Sequence, residues 1–164
     1  RGGRLGRPCC LRSVVRSSWK AMPESRWGCL VESGCMMREG RVWVRGTVRA
    51  ATWRARLRGL LGRRSLGADA AMLIERCGAV HTVGMRFALD LVFLDRAWRV
   101  TRVVRNVPPG RWMVVGGWRA VRVLESEAGC VDVAGVRIGE TLVWRPDAQA
   151  PAAHIAEDER GTVS

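Results

Sequence analysis

The segment Leu89–Leu94 constrains the fold of this chain more than any other. Its sequence, Leu-Asp-Leu-Val-Phe-Leu, is apolar at every position except Asp90. A short apolar run with β-branched and aromatic residues predicts a buried strand. Because an unpaired buried charge is very costly, the carboxylate of Asp90 needs partners. This strand is therefore the centre either of a polar functional site or of a structural polar network.

Similar short segments recur along the chain and predict further strands. Some alternate between apolar and polar residues and others are short apolar runs, bounded by glycine, proline or charged turns. The additional predicted strands cover residues 41–51, 71–75, 99–104, 112–115, 120–125 and 141–144.

Two helices are predicted between these strands. The first follows Thr52, a suitable N-cap, and places Leu57 and Leu60 on one apolar face. The second is short, is capped by Ser126 and ends at Gly135. Because most strands follow one another through hairpins, the predicted fold class is mainly β. We expect a compact antiparallel β-sandwich or jelly-roll-like barrel, with one helix after the first strand and one short helix near the C-terminus.

Residues 1–35 differ from the rest of the chain in composition. They are rich in arginine, glycine, serine and cysteine and show neither helical nor strand periodicity. Met36 and Met37 stand directly before the first regular pattern. We therefore predict a disordered or non-native N-terminal extension over residues 1–35, a β domain over residues 36–145 and a disordered tail over residues 146–164. A basic targeting arm is the alternative for the first segment.

The formal net charge of +13 invites comparison with proteins that bind nucleic acids. Every basic residue except Lys20 is an arginine, and the arginines are scattered without a long cluster. GC-rich codons account for the abundance of arginine, glycine, alanine and tryptophan. The charge is therefore weak support for a nucleic-acid partner, and none is predicted.

Cysteine usage and hydropathy bear on the compartment. Four of the six cysteines fall within residues 1–35, and Cys77 and Cys130 have neither disulfide-framework nor metal-ligand spacing. No apolar run approaches the length of a membrane-spanning helix, and no signal-peptide core is visible. We expect a cytoplasmic, reducing environment.

Four motifs, in order and spacing, resemble the bacterial and archaeal family DUF192 (also called UPF 0127), whose function is unknown. They are RLRGLLGR (56–63), HTVGMRFALDLVFLD (81–95), VLESEAG (123–129) and GVRIGE (135–140). The resemblance implies a compact β-rich domain of jelly-roll-like character and supplies no established activity. The family usually has Asp where this chain has Glu140. Many relatives carry a signal peptide, so the resemblance also implies an extracytoplasmic location as the alternative.

Candidate catalytic residues are His81, Asp90 and Glu125. A histidine oriented by one carboxylate, with a second acid nearby, can act as a general acid or base in a hydrolase. In the structural alternative, both acids are internal and pair with arginines such as Arg56 or Arg86. We favour the structural alternative, because strand alternation places each acid at the rim of an apolar layer.

A weaker pattern concerns copper. Cys77, His81 and Met85 are spaced four residues apart, which on a regular strand places all three on one face. Thiolate, imidazole and thioether are ligands that favour Cu(I). Gly78 and Gly84 disfavour a regular strand here, so copper binding is a minor alternative.

The sequence favours a non-enzymatic binding or accessory module for a peptide, a glycan or a partner protein, with envelope assembly as one setting. The predicted binding residues are Arg56, His81, Thr82, Met85, Arg86 and Glu125. Trp112 and Trp118 flank a glycine turn and are the two tryptophans expected to be exposed. No glycine-rich segment has the order of a phosphate-binding loop, so no cofactor is predicted.

Overall fold

The computed structural model describes residues 31–50, 60 and 64–147. These residues form a seven-stranded sheet, a second sheet of two strands and one complete short helix. In chain order the elements are β1 (Val31–Arg38), β2 (Arg41–Ala50), β3 (Ala70–Glu75), β4 (Ala79–Val80), β5 (Leu89–Leu94), β6 (Val100–Val107), β7 (Val114–Val115), β8 (Arg122–Glu127), α1 (Cys130–Ala134) and β9 (Leu142–Pro146). The mainly β prediction is therefore confirmed.

The large sheet is mixed. Its strand order is β6-β5-β8-β3-β2-β1-β9, and β4 pairs with β7 in the small sheet. All neighbouring strands are antiparallel except β2 and β3, which run parallel from the pair Gly46 and Ala70 to the pair Ala50 and Ile74. A parallel pair needs a long crossover connection, which the chain supplies between these two strands. The prediction of a purely antiparallel arrangement was wrong at this pair.

The large sheet curls until its two edge strands meet at one end. An antiparallel bridge joins Arg99 to Thr141. The backbone N–H of Val100 donates to the carbonyl of Glu140 over 2.7 Å. In the described residues no continuous ladder joins β6 to β9, so the curled sheet stays open and the expected barrel is not closed.

Both faces of the curled sheet are buried. On the inner face, Leu73 of β3 and Val92 of β5 belong to a core cluster that draws on every strand of the large sheet. On the outer face, Met72 and Phe93 belong to a second cluster, which the small sheet and Leu60 cover. Since successive side chains of a strand point to opposite faces, β3 and β5 must be apolar at almost every position.

Three strands were predicted with nearly correct ends, and two were not predicted. The strands expected at 41–51, 71–75 and 89–94 correspond to β2, β3 and β5, and the two that were not predicted are β1 and the two-residue β4. β1 begins at Val31, upstream of the domain boundary expected at residue 36, and pairs with β2 on one side and β9 on the other. Its sequence lacks alternation, and its two neighbours hold it in the sheet.

The predicted helices have different outcomes. The first lies outside the described residues apart from Leu60, which is helical and buried. The second exists as α1 and ends at Gly135. This glycine has a φ of 66°, a left-handed conformation that is common at the C-terminal end of a helix. Ser126 does not cap it, because this residue is buried inside β8. None of the helices described is long and apolar enough to cross a lipid bilayer.

Candidate functional site

Asp90 is fully buried and is held by backbone groups. Its Oδ1 accepts a hydrogen bond from the N–H of Asn106 over 2.8 Å. Its Oδ2 accepts from the N–H groups of Gly129 and Val131 over 2.9 and 3.1 Å. Three backbone donors satisfy the carboxylate, and no hydrogen bond or ion pair joins it to Arg86. Arg56, the other expected partner, lies outside the described residues. Asp90 therefore joins β5 to β6 and to the start of α1.

The three candidate catalytic residues are not arranged as one site around Asp90. The carboxylate of Asp90 faces the inner core and has no solvent exposure, whereas the side chain of His81 is exposed. Glu125 is buried on the outer face, where its strand neighbours are Met72 and Leu91. A general base needs hydrogen-bond reach to its orienting acid, and in the described residues no hydrogen bond joins His81 to Asp90, whose two oxygens accept backbone N–H groups.

The predicted binding residues differ in burial. Thr82 is fully buried, His81 and Arg86 are exposed, and Met85 packs against the outer core. Arg56 lies outside the described residues. The segment from His81 to Arg86 therefore contributes some side chains to the core and others to the surface.

The copper prediction rested on a regular strand that the structure does not contain. β4 covers only Ala79 and Val80. The thiol of Cys77 is buried and donates to the carbonyl of Ala79 over 2.9 Å, while His81 points to solvent. In the part of the chain described, no group of three or more His, Cys, Asp and Glu side chains is arranged to hold a metal ion.

Thr82 connects two loops. Its hydroxyl donates to the carbonyl of Pro108 over 2.7 Å and accepts from the N–H of Arg111 over 2.9 Å. Its backbone N–H donates to the carbonyl of Arg111, and its carbonyl accepts from the N–H of Gly110. These four bonds fix the turn that follows β6, so Thr82 positions the residues that come next along the chain.

A groove lies between β6 and the segment that this turn leads into. Its volume is about 370 Å³. The lining residues are Arg102, Val104, Arg105, Asn106, Val107, Pro108, Arg111, Met113, Val114 and Val115. The guanidinium of Arg102 donates to the carbonyl of Val115 over 2.5 Å and so ties the two walls together. Below, this space is called the β6 groove.

The β6 groove is cationic. Of the residues that the structure describes, three arginines and no carboxylate line it. The 29 residues between Asp95 and Glu125 contain seven arginines and neither Asp nor Glu. Arg105 forms an ion pair with Asp132, which lies outside the groove. The guanidinium of Arg111 is exposed and has no hydrogen-bond or ion-pair partner among the described residues. An anion in the groove would meet uncompensated positive charge.

Large apolar side chains are exposed on the segment that forms one wall of the groove and just beyond it in the chain. Trp112 is 82% exposed, Met113 62% and Trp118 94%. The guanidinium of Arg119 stacks over the ring of Trp118 at 5.6 Å from its centroid. The predicted exposure of Trp112 and Trp118 is confirmed. Exposed aromatic residues beside a groove are typical of binding surfaces.

The β6 groove was missed at the level of sequence, although a signal for it was present. The acid-free stretch between Asp95 and Glu125 combines arginines with three tryptophans. The arginines are scattered over the whole chain, so the local excess of arginine over acidic residues in this stretch is easily overlooked. A search for segments without compensating acids would have indicated the region.

Residues 36–144 match a family model, DUF192, described as an uncharacterized ACR. The chain belongs to the DUF192 family. The match includes every strand from β2 to β8, all of α1 and the residues of the β6 groove. No curated protein matches the chain.

Two solved structures resemble this DUF192 chain. A protein of unknown function from Novosphingobium aromaticivorans has 21% identity and a TM-score of 0.60, over 70% of this chain and 85% of its own. A proposed transcription regulator from Sinorhizobium meliloti has 22% identity and a TM-score of 0.56, over 70% of this chain and 93% of its own. At this level of identity, the likeness supports a shared fold and no shared activity.

Proposed function

We propose that this DUF192 domain is a non-enzymatic binding module, and that its β6 groove receives an extended segment of a partner protein. The observation that carries the proposal is the groove itself, which lies beside an edge strand and is lined by exposed Met113, next to exposed Trp112 in the chain. Protein interfaces are enriched in tryptophan, methionine and arginine, and these are the residue types at this surface.

The chemistry of the lining supports binding over catalysis. The lining contains three arginines, one asparagine, one proline and five apolar residues, and none of them is a Ser, Cys, His, Asp or Glu. A hydrolase needs a nucleophile or a general base that reaches the reacting atoms. The groove offers hydrogen-bond donors and apolar contacts in place of such groups.

Hydrogen bonds to two buried side chains, Asp90 and Thr82, hold the backbone of both walls. On one wall, Asp90 holds the backbone of Asn106 inside β6. On the other wall, Thr82 holds the backbone of Arg111. A preformed groove binds with a smaller entropy loss than a flexible one, because its residues are ordered before the ligand arrives.

A selection from a random decapeptide display library tests the proposal. Met113→Asp places a charge on the groove wall, and Val143→Asp makes the same kind of change at the exposed β9 surface. We expect peptides enriched on the wild-type domain to bind Val143→Asp equally and Met113→Asp about tenfold more weakly. The proposal would be contradicted if no peptides were enriched, or if the enriched peptides bound Met113→Asp as tightly as the wild-type domain.

A further inference from the structure

We infer that the segment bound in the β6 groove is acidic and extended, and that it adds as a strand to the free edge of β6. This inference rests on the proposed function, because it names the ligand of the same site. It assigns separate roles to the backbone of β6, which would pair with the ligand, and to the arginines, which would select its charge.

The first observation is the unpaired edge. Within the described part of the chain, β6 has β5 as its only ladder partner in the sheet. Among the described residues, its other edge is bonded only at the start, where Val100 exchanges hydrogen bonds with Glu140 and Gly139. From Thr101 to Val107, backbone groups along this edge are therefore available to an added strand, as in other peptide-binding domains that use β-augmentation.

The second observation is the charge of the strand that would be extended. Arg102 and Arg105 lie on β6, and Arg111 faces it from the opposite wall. Charged residues on an edge strand oppose pairing with a second copy of the same strand. The same residues attract an acidic strand, and the guanidinium of Arg111 has no hydrogen-bond or ion-pair partner in the described ranges that a ligand would have to replace.

The third observation is that apolar side chains share the groove with the arginines. Val104 packs against the outer core, and Met113 and Val115 line the groove with Arg102 and Arg111. A ligand that carries both acidic and apolar residues therefore satisfies the arginines and the apolar lining together, and a Glu-Val repeat is the simplest extended peptide of this kind.

An anionic membrane surface is the competing occupant, since exposed Trp112 and Trp118 with nearby arginines also suit the headgroup region. The concave shape of the groove and the free edge of β6 favour a strand, because a bilayer surface offers no backbone to pair with that edge. Vesicle binding is therefore included as an outcome of the test.

Three labelled octapeptides test the inference by fluorescence anisotropy. The first alternates Glu and Val, the second alternates Lys and Val, and the third is the first with every second backbone nitrogen methylated. We expect the Glu-Val peptide to bind, and both other peptides to bind at least about tenfold more weakly. Arg111→Glu should weaken the Glu-Val peptide about tenfold, whereas Arg41→Glu, an equal charge change at the exposed β1–β2 turn, should leave it unchanged.

Equal affinity of the Lys-Val peptide, or of the methylated peptide, overturns the inference. Failure of the Glu-Val peptide to bind, combined with binding to phosphatidylglycerol vesicles that Trp112→Ser abolishes, overturns it in favour of a membrane surface. If the display selection yields groove-dependent neutral or basic peptides while the Glu-Val peptide fails, the inference is wrong and the binding module stands.

Discussion

The backbone N–H of Val131 donates a hydrogen bond to the buried carboxylate of Asp90 over 3.1 Å. The first turn of a helix has backbone N–H groups without intrahelical partners, and a carboxylate at this position satisfies them. The side chain that caps α1 therefore comes from β5, 41 residues earlier in the chain. Asp90, the single acid of the apolar strand β5, therefore connects the inner face of the sheet to α1.

Replacing Asp90 by alanine is expected to destabilise the domain strongly. The substitution leaves three backbone N–H groups in or beside the core without their acceptor. At roughly 1–3 kcal/mol for each unsatisfied buried donor, we expect a loss of about 3–5 kcal/mol in the free energy of unfolding. Urea denaturation measures this loss.

Asp132→Ala is the matched control, because it removes an exposed carboxylate from α1 itself. Its ion pair with Arg105 lies at the surface, so the expected cost is below about 1 kcal/mol. If Asp90→Ala costs no more than Asp132→Ala, the three hydrogen bonds do not stabilise the fold, and Asp90 is available for another role.

Local features of the sequence were sufficient for part of this picture. The strand Leu89–Leu94 follows from its composition, and the exposure of Trp112 and Trp118 follows from the glycine turn between them. The need of Asp90 for partners follows from the cost of burying charge. Each of these inferences depends on residues that are neighbours in the chain.

The remaining features depend on residues that are distant in the chain. The donors to Asp90 include Gly129 and Val131, which no local pattern connects to β5. The parallel pairing of β2 with β3 and the position of β1 between β2 and β9 are likewise set by the sheet as a whole. The β6 groove is intermediate, because its arginines fall in one acid-free stretch of the sequence, whereas its shape depends on contacts such as that of Arg102 with Val115.

Gly116 is expected to tolerate no side chain. A Cβ atom at this position would lie 2.1 Å from Cδ1 of Phe93 and 2.6 Å from Cβ of Ala120. Phe93 is fully buried and cannot move away without disturbing the outer core. We expect Gly116→Ala to lower the free energy of unfolding by about 1–3 kcal/mol, measured by chemical denaturation.

Gly117→Ala separates this steric effect from backbone strain. Gly117 has a φ of 95° and open space around its Cα, so alanine there is strained without a clash. Phe93→Leu should therefore reduce the cost of Gly116→Ala and leave the cost of Gly117→Ala unchanged. If the free-energy costs of Phe93→Leu and Gly116→Ala simply add in the double variant, as those of Phe93→Leu and Gly117→Ala should, then contact with Phe93 does not constrain Gly116.

Glu140 should make stability depend on pH at the acid end. Nε and Nη2 of Arg38 donate to its two carboxylate oxygens over 2.8 and 3.0 Å. The hydrogen bond from Arg38 holds the pKa of Glu140 below its ordinary value of 4.5. A carboxylate with a lowered pKa in the folded state stabilises the fold above the unfolded pKa, and this contribution disappears as the pH falls through the folded value.

Glu140→Gln is accordingly expected to lower the free energy of unfolding by about 0.5–1 kcal/mol at pH 7 and by much less near pH 3. Urea denaturation at both pH values measures the difference. Glu39→Gln, at the exposed neighbour of Arg38, is the control and should have little effect at either pH. A cost of Glu140→Gln that is the same at both pH values would exclude the carboxylate charge as its source.

Thr82→Val is expected to loosen the wall of the β6 groove. The substitution keeps the shape of the side chain and removes the hydroxyl that bonds to Pro108 and Arg111. Loss of these two bonds should cost about 1–3 kcal/mol and speed amide hydrogen exchange at Gly110 and Arg111. The affinity of groove-dependent peptides should fall in parallel, because the wall is then ordered only on binding. Thr141→Val, the same substitution at an exposed position, should alter neither hydrogen exchange nor peptide affinity. Unchanged exchange at Gly110 and Arg111 in Thr82→Val would show that Thr82 does not order the groove wall.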